Sequence, residues 1–257
     1  MTQTWSRRVV VRSLGAGLPL AAVLADATLA RAAAATLSEV SIPVAGGQPL
    51  RASLALPAKL PAPTVMLIHE WWGLNDQIKA VAAELAQAGY MALAVDLYDG
   101  KQAGSAEEAG TLMKAVDAAV AESQVAAGVD WLRAETRSTG KVGTVGWCFG
   151  GGWSLRASVA RPVDATVVYY GDVSLPAARL ARLQGPVVGH FANRDQWINR
   201  AMVEGFERAM AEVGKTLTVY WYDADHAFAN PTGARYDAED AKLAWERTLD
   251  FYHANLR

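Results

Sequence analysis

The feature that most constrains the fold is the regular alternation of short apolar runs with longer amphipathic segments. The apolar runs have the length of buried strands, and the segments between them have the spacing of helices. This rhythm predicts βαβ units and therefore an α/β fold, with a mostly parallel central sheet flanked by helices on both faces. The predicted strands are Thr64–Ile68, Met91–Val95, Val142–Gly146, Ala165–Tyr169, Pro186–Phe191 and Leu217–Tyr222. The predicted helices include Asp76–Ala88, Ala106–Ala134, Asn199–Val213 and Ala238–Ala254.

A different pattern precedes the first of these units. Ser38–Val44 and Leu50–Leu56 are separated by a short stretch rich in Gly and Pro, which predicts an antiparallel hairpin at the edge of the sheet. The chain has 257 residues, of which 52% are hydrophobic and 19% are charged. It can therefore fill one domain around a substantial buried core.

The distribution of charge excludes some classes of partner. The formal net charge is −2, and the body of the chain has no run of Lys or Arg that would bind nucleic acid or an anionic membrane. We therefore expect a small-molecule partner. The histidines and carboxylates also lack the spacing of a zinc site such as His-Glu-x-x-His, so the sequence predicts no metal site.

Residues 1–35 have the pattern of a targeting segment. Arg7 and Arg8 precede an apolar stretch that contains Asp26, which would be costly at the centre of a bilayer, and small residues follow at a candidate cleavage site. The arginine pair resembles a twin-arginine export signal. We expect residues 1–35 to be a signal peptide and residues 36–257 to form the domain, exported to the periplasm without stable membrane association. An uncleaved N-terminal helix is the alternative.

A glycine-flanked cysteine follows one of the predicted strands. Gly146-Trp147-Cys148-Phe149-Gly150 has the pattern of a nucleophile elbow with Cys in place of Ser, where small flanking residues relieve the crowding of a sharp turn. The backbone N–H of Phe149 then lies at a helix N-terminus, where it can stabilise an oxyanion and lower the pKa of the thiol. Two alternatives stay open: a glycine-rich structural turn, and a lone cysteine retained as a small buried hydrophobe.

Two further residues follow later strands in the order that a catalytic triad requires. Asp195 comes after the predicted strand that ends near Phe191, and His226 comes after the strand that ends at Tyr222. Chemistry in an open α/β sheet lies beyond the carboxyl ends of the strands. Nucleophile, acid and histidine is also the chain order of hydrolase triads on such sheets. We expect His226 to accept the thiol proton and Asp195 to orient its ring.

Other groups compete for these two roles. His190 lies within a predicted strand, where a core or wall position is more usual than a general base. Asp223 and Asp225 are too close in sequence to His226 to face its ring easily, so we expect solvated turn residues or a helix cap. The remaining histidines are His69 and His253.

The loop after the predicted strand Thr64–Ile68 carries His69-Glu70-Trp71-Trp72-Gly73. In hydrolases of this architecture that loop supplies a second oxyanion N–H, which we expect here from Trp71. Spacing alone assigns no role to Glu70. A solvated loop carboxylate is its usual interpretation, yet it lies where the catalytic edge of the sheet is expected.

Taken together, these motifs resemble the dienelactone hydrolase family. The resemblance rests on Gly-Trp-Cys-Phe-Gly-Gly around Cys148, on Asp195, on Asp-x-x-His-x-Phe ending at Phe228, on His-Glu-Trp-Trp-Gly and on Asp-Leu-Tyr ending at Tyr98. It covers nearly the whole chain after the first 35 residues. It implies a single-domain α/β-hydrolase fold without cofactor, and a Cys-His-Asp triad that acts on dienelactone, an enol lactone.

The resemblance also implies roles for individual residues. Glu70 matches a glutamate that contacts the resting thiol and helps to generate the thiolate when substrate arrives. Tyr98 matches a pocket residue, and Trp197 and Phe228 are expected to line the site. One position departs from the family pattern, because Asn230 stands where the family has an arginine that binds the substrate carboxylate. An amide offers no charged bidentate contact.

The sequence therefore predicts a hydrolase that cleaves a small ester or enol lactone through an acyl-enzyme on the thiol. The departure at Asn230 leaves open a neutral substrate, a different ester, or a substitute cation such as Arg235. A broader carboxylesterase or thioesterase is the alternative within the enzymes. From a different class, an exported binding module that keeps the fold without turnover is the other alternative.

Overall fold

The computed structural model describes residues 20–257. Its eight strands are β1 (Ser38–Ile42), β2 (Leu50–Ala55), β3 (Ala62–Ile68), β4 (Met91–Asp96), β5 (Ser138–Trp147), β6 (Ala165–Tyr169), β7 (Val187–Ala192) and β8 (Leu217–Tyr222). The helices of the described residues are α1 (Leu20–Ala25), α2 (Ala27–Ala34), α3 (Asp76–Gln87), α4 (Ala106–Ala115), α5 (Ala118–Ala134), α6 (Phe149–Ala160), α7 (Ala177–Leu180), α8 (Arg200–Glu212) and α9 (Ala238–Leu256).

The strands form one sheet in the order β1-β2-β4-β3-β5-β6-β7-β8. β2 pairs antiparallel with β1 and with β4, and the pairs from β4 to β8 are parallel. The predicted edge hairpin and the predicted mostly parallel sheet are both confirmed. This is the α/β-hydrolase fold that the resemblance implies.

Two apolar layers cover the sheet because consecutive side chains of a strand point to opposite faces. In β3, Val65 and Leu67 pack in one cluster with residues of α3 and α9, whereas Met66 and Ile68 pack in a second cluster with residues of α5 and α6. All four side chains have no exposed surface. The sheet is therefore buried on both faces, as its continuous apolar strands require.

One predicted helix is wrong in its extent. The segment Ala106–Ala134 is two helices, α4 and α5, separated at Val116 and Asp117. Val116 has an extended ψ of 116°, and the Asp117 side chain accepts hydrogen bonds from the backbone N–H groups of Ala119 and Val120. An aspartate that caps the following turn competes with helix continuation, which is why the segment divides there.

The N-terminal helices of the described part pack against α3. Ala30 and Ala33 of α2 are buried, and Arg31 forms an ion pair with Asp76 at 3.6 Å. Arg7 and Arg8 lie outside the described residues, so the export signal stays a prediction. Among residues 20–257, no helix combines the length and the apolar character needed to cross a membrane.

The carboxyl edge of the parallel strands gathers most of the polar groups considered below. Each of six strands is followed within four residues by one of them, because parallel strands present their carboxyl ends at one edge of the sheet. In strand order from β3 to β8 along the chain, these residues are Glu70, Tyr98, Cys148, Tyr170, Asp195 and His226.

Candidate active site

Cys148 lies at a strained turn between β5 and α6. Its backbone has φ 54° and ψ −115°, a region that residues with a side chain rarely adopt. A Cβ on Gly146 would lie 2.0 Å from the carbonyl oxygen of Gly150, and a Cβ on Gly150 would lie 2.2 Å from that of Ile68. Only glycine fits at both positions, so the motif forms the sharp turn that the sequence predicts.

The side chains of Cys148, His226 and Asp195 form a hydrogen-bonded chain. His226 Nε2 lies 3.2 Å from Cys148 Sγ, and His226 Nδ1 lies 2.6 Å from Asp195 Oδ2. These residues come from three separate loops, after β5, β7 and β8. The arrangement has the geometry of a nucleophile, a base and an orienting acid.

Asp195 is held as a carboxylate. Its Oδ1 accepts hydrogen bonds from the backbone N–H groups of Trp197 and Ile198, at 2.8 and 3.0 Å. Burial raises the pKa of Asp195, but the hydrogen bond from His226 and these two N–H groups outweigh it and leave the pKa below its usual value. Because a carboxylate can only accept, the proton of the neutral imidazole lies on Nδ1, and Nε2 is free to accept the thiol proton.

The thiol of Cys148 is protonated at neutral pH. Burial raises its pKa to about 12, and the nearby carboxyl of Glu70 adds to the rise. The Phe149 backbone N–H hydrogen-bonds to the sulfur and lowers the pKa, as the sequence predicts, but the net shift is upward. The expected lowering by this donor is present, but desolvation of the thiolate outweighs one N–H group and sets the direction of the net shift.

Glu70 is a buried carboxyl beside the thiol and not a solvated loop residue. Only 4% of its surface is exposed, and its Oε2 accepts a hydrogen bond from the side-chain amide of Asn230. Burial raises the pKa of Glu70 to about 7, and Asn230 and His226 oppose that rise. Glu70 therefore changes its charge within the neutral pH range.

Asn230 is committed to internal contacts. Its Oδ1 accepts hydrogen bonds from Gln77 Nε2 at 3.1 Å and from Thr232 Oγ1 at 2.7 Å, while its amide N–H donates to Glu70. The residue is 5% exposed. It holds the Glu70 carboxyl in place and carries no charge that would pair with a substrate carboxylate.

Two of the three expected pocket residues lie beside the triad. The Trp197 ring meets the His226 ring edge-on at 5.2 Å, and 60% of its surface is exposed. Tyr98 is buried with its ring 5.5 Å from that of Phe149, and burial together with Cys148 raises its pKa above the usual value. Its hydroxyl has no hydrogen-bond partner among the described residues.

Phe228 does not line the site in the way that we expected. It has no exposed surface, and its ring packs between Tyr170 and Tyr222, with centroids 5.4 and 4.8 Å away. It supports the site from within the core, because it packs against Tyr170, whose ring contacts that of His226. Trp71 directly follows Glu70, and its ring packs edge-on against Trp72 at 5.1 Å, while its oxyanion role stays a prediction.

Tyr170 is a residue of the site that sequence reasoning missed. It follows β6 directly, has φ 36° and is fully buried, and its ring lies 5.2 Å from that of His226. Its hydroxyl has no hydrogen-bond partner among the described residues, although it lies near enough to Glu70 to lower the pKa of that carboxyl. Its position directly after a predicted parallel strand could have identified it from the sequence, because functional side chains gather there.

His190 is a core residue, as the sequence predicts. It is fully buried, with Nδ1 2.8 Å from the Tyr222 hydroxyl and Nε2 3.1 Å from Thr248 Oγ1. Burial lowers its pKa to about 3, and the charge of Arg247 acts in the same direction. Both ring nitrogens are occupied by hydroxyl partners, so His190 is not available as a general base.

The remaining rivals are also engaged in structural contacts. Asp223 and Asp225 are solvated residues after β8, as expected, and both pair with Arg194, at 2.6 and 3.4 Å. His69 Nε2 accepts a hydrogen bond from the backbone N–H of Leu97 at 3.1 Å. Within residues 20–257, no group of three or more His, Cys, Asp or Glu side chains is placed to hold a metal ion.

The comparisons with known proteins agree with this architecture. The chain is similar to a solved dienelactone hydrolase from Anabaena variabilis, with 22% identity, a TM-score of 0.64 and coverage of 86% of this chain and 100% of the other. It is also similar to a dienelactone hydrolase-like promiscuous phosphotriesterase from metagenomic libraries, with 23% identity, a TM-score of 0.78 and the same coverages. At these identities the likeness shows the fold alone.

The sequence comparisons identify the family. A carboxymethylenebutenolidase of Pseudomonas putida is 30% identical over 227 residues, which cover 82% of this chain and 94% of the relative. The sequence profile of the dienelactone hydrolase family matches residues 50–256, which include Glu70, Cys148, Asp195 and His226. The chain belongs to the dienelactone hydrolase family.

Proposed function

We propose that this chain hydrolyses a small ester or enol lactone with Cys148 as nucleophile, His226 as general base and acid, and Asp195 as the group that orients His226. The observation that carries the proposal is the unbroken chain of contacts from Asp195 Oδ2 to His226 Nδ1 and from His226 Nε2 to Cys148 Sγ, at 2.6 and 3.2 Å. Membership of the family supports hydrolysis of esters or lactones at the coarser level.

The first half of the reaction is acylation. His226 Nε2 takes the thiol proton as the sulfur of Cys148 forms a bond to the carbonyl carbon, and the carbonyl electron pair moves to oxygen. The backbone N–H of Phe149, with that of Trp71, is the proposed donor to this oxyanion. The carbon–oxygen bond then breaks, and the leaving oxygen or the enol carbon takes the proton from His226.

The second half releases the acyl group. A water molecule gives a proton to His226 and attacks the thioester carbonyl, the carbon–sulfur bond breaks, and the sulfur recovers a proton. In a lactone the leaving group stays attached to the acyl chain, so the whole product departs at this step. An enol leaving group makes acylation easy, which suits a thiol that is protonated at rest.

Glu70 is proposed to control the protonation of the thiol. Its negative charge raises the pKa of Cys148, after the larger effect of burial. Any event that neutralises Glu70 therefore makes the thiolate easier to form. With a pKa of about 7 for Glu70, one proton suffices for that change at neutral pH.

The groups at the mouth of the site determine whether it can bind a negatively charged or a neutral substrate. Asn230 is a neutral amide that donates to Glu70, so a carboxylate on the substrate would need a cation from elsewhere in the site. The exposed guanidinium of Arg235 lies 5.3 Å from the centre of the Trp197 ring, which contacts His226. Arg235 is the proposed partner for a carboxylate group, and a neutral ester would not need it.

The test compares cis- and trans-dienelactone with the neutral ester p-nitrophenyl acetate under reducing conditions. Cys148→Ala and His226→Ala are expected to abolish turnover of all three, and intact mass measurement should detect the acyl-enzyme on the parent chain. Arg235→Ala is expected to raise KM for the dienelactones and to leave p-nitrophenyl acetate unchanged. Turnover of the ester without the lactones would favour a broader esterase, and binding without any turnover would favour an exported binding module.

Export through residues 1–35 is a separate proposal, supported by the Arg7-Arg8 pair and the small residues before Thr36. The test is cell fractionation of the full chain beside an Arg7→Lys, Arg8→Lys variant. Recovery of the parent chain in the periplasm, and retention of the variant in the cytoplasm, would support it. Equal distribution of the two proteins would refute it.

A further inference from the structure

A cavity of about 430 Å³ lies between α1, α3 and α9, next to the candidate active site. Its volume lies within the range of small-molecule pockets. Apolar and aromatic side chains form much of its wall, from Leu24 of α1, Ile78 and Val81 of α3, Trp245 of α9 and Trp147 at the end of β5. Because α1 belongs to residues 1–35, the wall is complete only in a chain that keeps these residues, which is the uncleaved alternative to the export signal. Of the described residues that line it, none is Cys148, Asp195 or His226.

The inner end of this cavity is polar, and some of its hydrogen-bonding groups have no partner. Glu70 and Tyr170 both line it, and their side chains are 4% and 0% exposed. Glu70 Oε1 and the Tyr170 hydroxyl have no hydrogen-bond partner of good geometry among the described residues, although the hydroxyl lies close enough to the carboxyl to lower its pKa. Buried polar atoms without a partner cost free energy and call for an explanation. A ligand that supplies both partners would remove that cost.

The charges around the cavity disfavour an anionic ligand. Three carboxyl side chains line it, those of Glu70, Glu84 and Glu246, against the single ammonium of Lys242. Lys242 is itself paired with Glu246 at 3.7 Å. A carboxylate group would therefore meet net repulsion and would find no free cation in the described wall. The apolar wall and this charge balance fit an uncharged ligand.

We propose that this cavity is a binding site for an uncharged aromatic alcohol or phenol. One hydroxyl group can donate a hydrogen bond to Glu70 Oε1 and accept one from the Tyr170 hydroxyl, while the ring packs among the apolar side chains of α3 and α9. The proposal concerns binding alone, so it does not depend on Cys148 being a nucleophile.

The experiment measures binding of three matched probes to the full chain carrying Cys148→Ala, by calorimetry at about pH 8, above the pKa of Glu70. The probes are 4-phenylphenol, its methyl ether 4-methoxybiphenyl, which cannot donate, and biphenyl-4-carboxylate, which is anionic. The phenol should bind about 5- to 10-fold more tightly than the ether, because only the phenol donates to the carboxylate. The carboxylate should bind most weakly.

Variants locate the site. Tyr170→Phe should weaken the phenol and the ether alike, severalfold, because either oxygen can accept a hydrogen bond from the Tyr170 hydroxyl. Ala241 lies on α9 and lines the cavity, so Ala241→Trp fills it and should weaken the phenol at least 10-fold. Leu243, on the same helix, is 40% exposed and does not line the cavity, so Leu243→Trp adds an indole outside and serves as the matched control.

Hydrolysis of p-nitrophenyl acetate by the same variants with Cys148 restored keeps the two proposals separate. Ala241→Trp should hydrolyse this small ester at the parent rate while losing the phenol. The proposal is overturned if the phenol and the ether bind equally, if biphenyl-4-carboxylate binds most tightly, if none of the probes binds, or if Ala241→Trp and Leu243→Trp behave alike.

Discussion

Asn230 donates a hydrogen bond from its side-chain amide to Oε2 of Glu70, although the two residues are 160 positions apart in the chain. Both are buried, and the contact joins the loop after β3 to the loop after β8. It holds a carboxyl with a pKa of about 7 beside a thiol whose pKa burial raises to about 12. The protonation of the thiol is thereby linked to a group that titrates at neutral pH.

Removing the amide should move the titration of Glu70. The Asn230 hydrogen bond lowers the pKa of Glu70, so Asn230→Ala should raise that pKa above about 7. The rate at which iodoacetamide alkylates Cys148 normally increases with pH, because more thiolate forms. A charged Glu70 raises the thiol pKa, so this increase should become less steep near the Glu70 pKa and produce an inflection in the rate profile. In the variant this inflection should shift to higher pH. In Glu70→Gln it should vanish, and an unchanged inflection in both variants would contradict the link.

The orienting role of Asp195 has a matched control in the next loop. Asp195→Asn cannot hold the Nδ1 proton of His226 in the same way, so kcat/KM for p-nitrophenyl acetate should fall by about 10²- to 10⁴-fold. Asp225→Asn changes an equally small carboxyl that pairs with Arg194 at 3.4 Å, and it should alter kcat/KM by less than about twofold. Equal losses in the two variants would remove Asp195 from its proposed role.

The turn at Cys148 should not tolerate a methyl group. A Cβ on Gly150 would lie 2.2 Å from the carbonyl oxygen of Ile68, so Gly150→Ala should lower the melting temperature by several degrees or abolish soluble expression. A Cβ on Gly110 of α4 would meet nothing within 4 Å, so Gly110→Ala should stabilise the protein by about 0.5–1 kcal/mol. Thermal unfolding of both variants checks the contrast, and a Gly150→Ala protein as stable as the parent would refute it.

The buried His190 should make stability depend on pH in the acid range. Its pKa falls from an ordinary value of 6.5 to about 3 on folding, so the unfolded chain binds a proton that the folded chain does not. Stability should therefore fall as pH drops below about 6.5, by up to about 1.4 kcal/mol per pH unit for this residue until pH nears 3. His190→Gln should lose that part of the slope.

The control for this experiment is His253→Gln, because His253 is exposed on α9. Urea unfolding at several pH values between about 4 and 7 would compare the three proteins. Glu70 acts in the opposite direction, because folding raises its pKa from an ordinary value of 4.5 to about 7. Its contribution to stability is therefore lost as pH rises between these two values. The difference between the parent chain and His190→Gln isolates the histidine, and identical slopes would show that His190 is not the group responsible.

The sequence by itself determined the strand and helix pattern, the elbow at Cys148 and the order of Cys148, Asp195 and His226. These features depend on periodicity along the chain, on the lack of a side chain at Gly146 and Gly150, and on the rule that functional groups follow parallel strands. Each can be read from residues close together in sequence. The division of the segment Ala106–Ala134 at Asp117 was missed because a cap residue inside an apolar pattern gives only a weak signal.

The tertiary structure alone decided which distant groups meet and how deeply they are buried. The Asn230 contact with Glu70, the place of Tyr170 beside His226 and the cavity between α3 and α9 all join segments that sequence spacing does not relate. The raised pKa of the Cys148 thiol also depends on packing between distant segments. Desolvation is set by everything packed around Cys148, so a local rule about helix N-termini could not predict its sign.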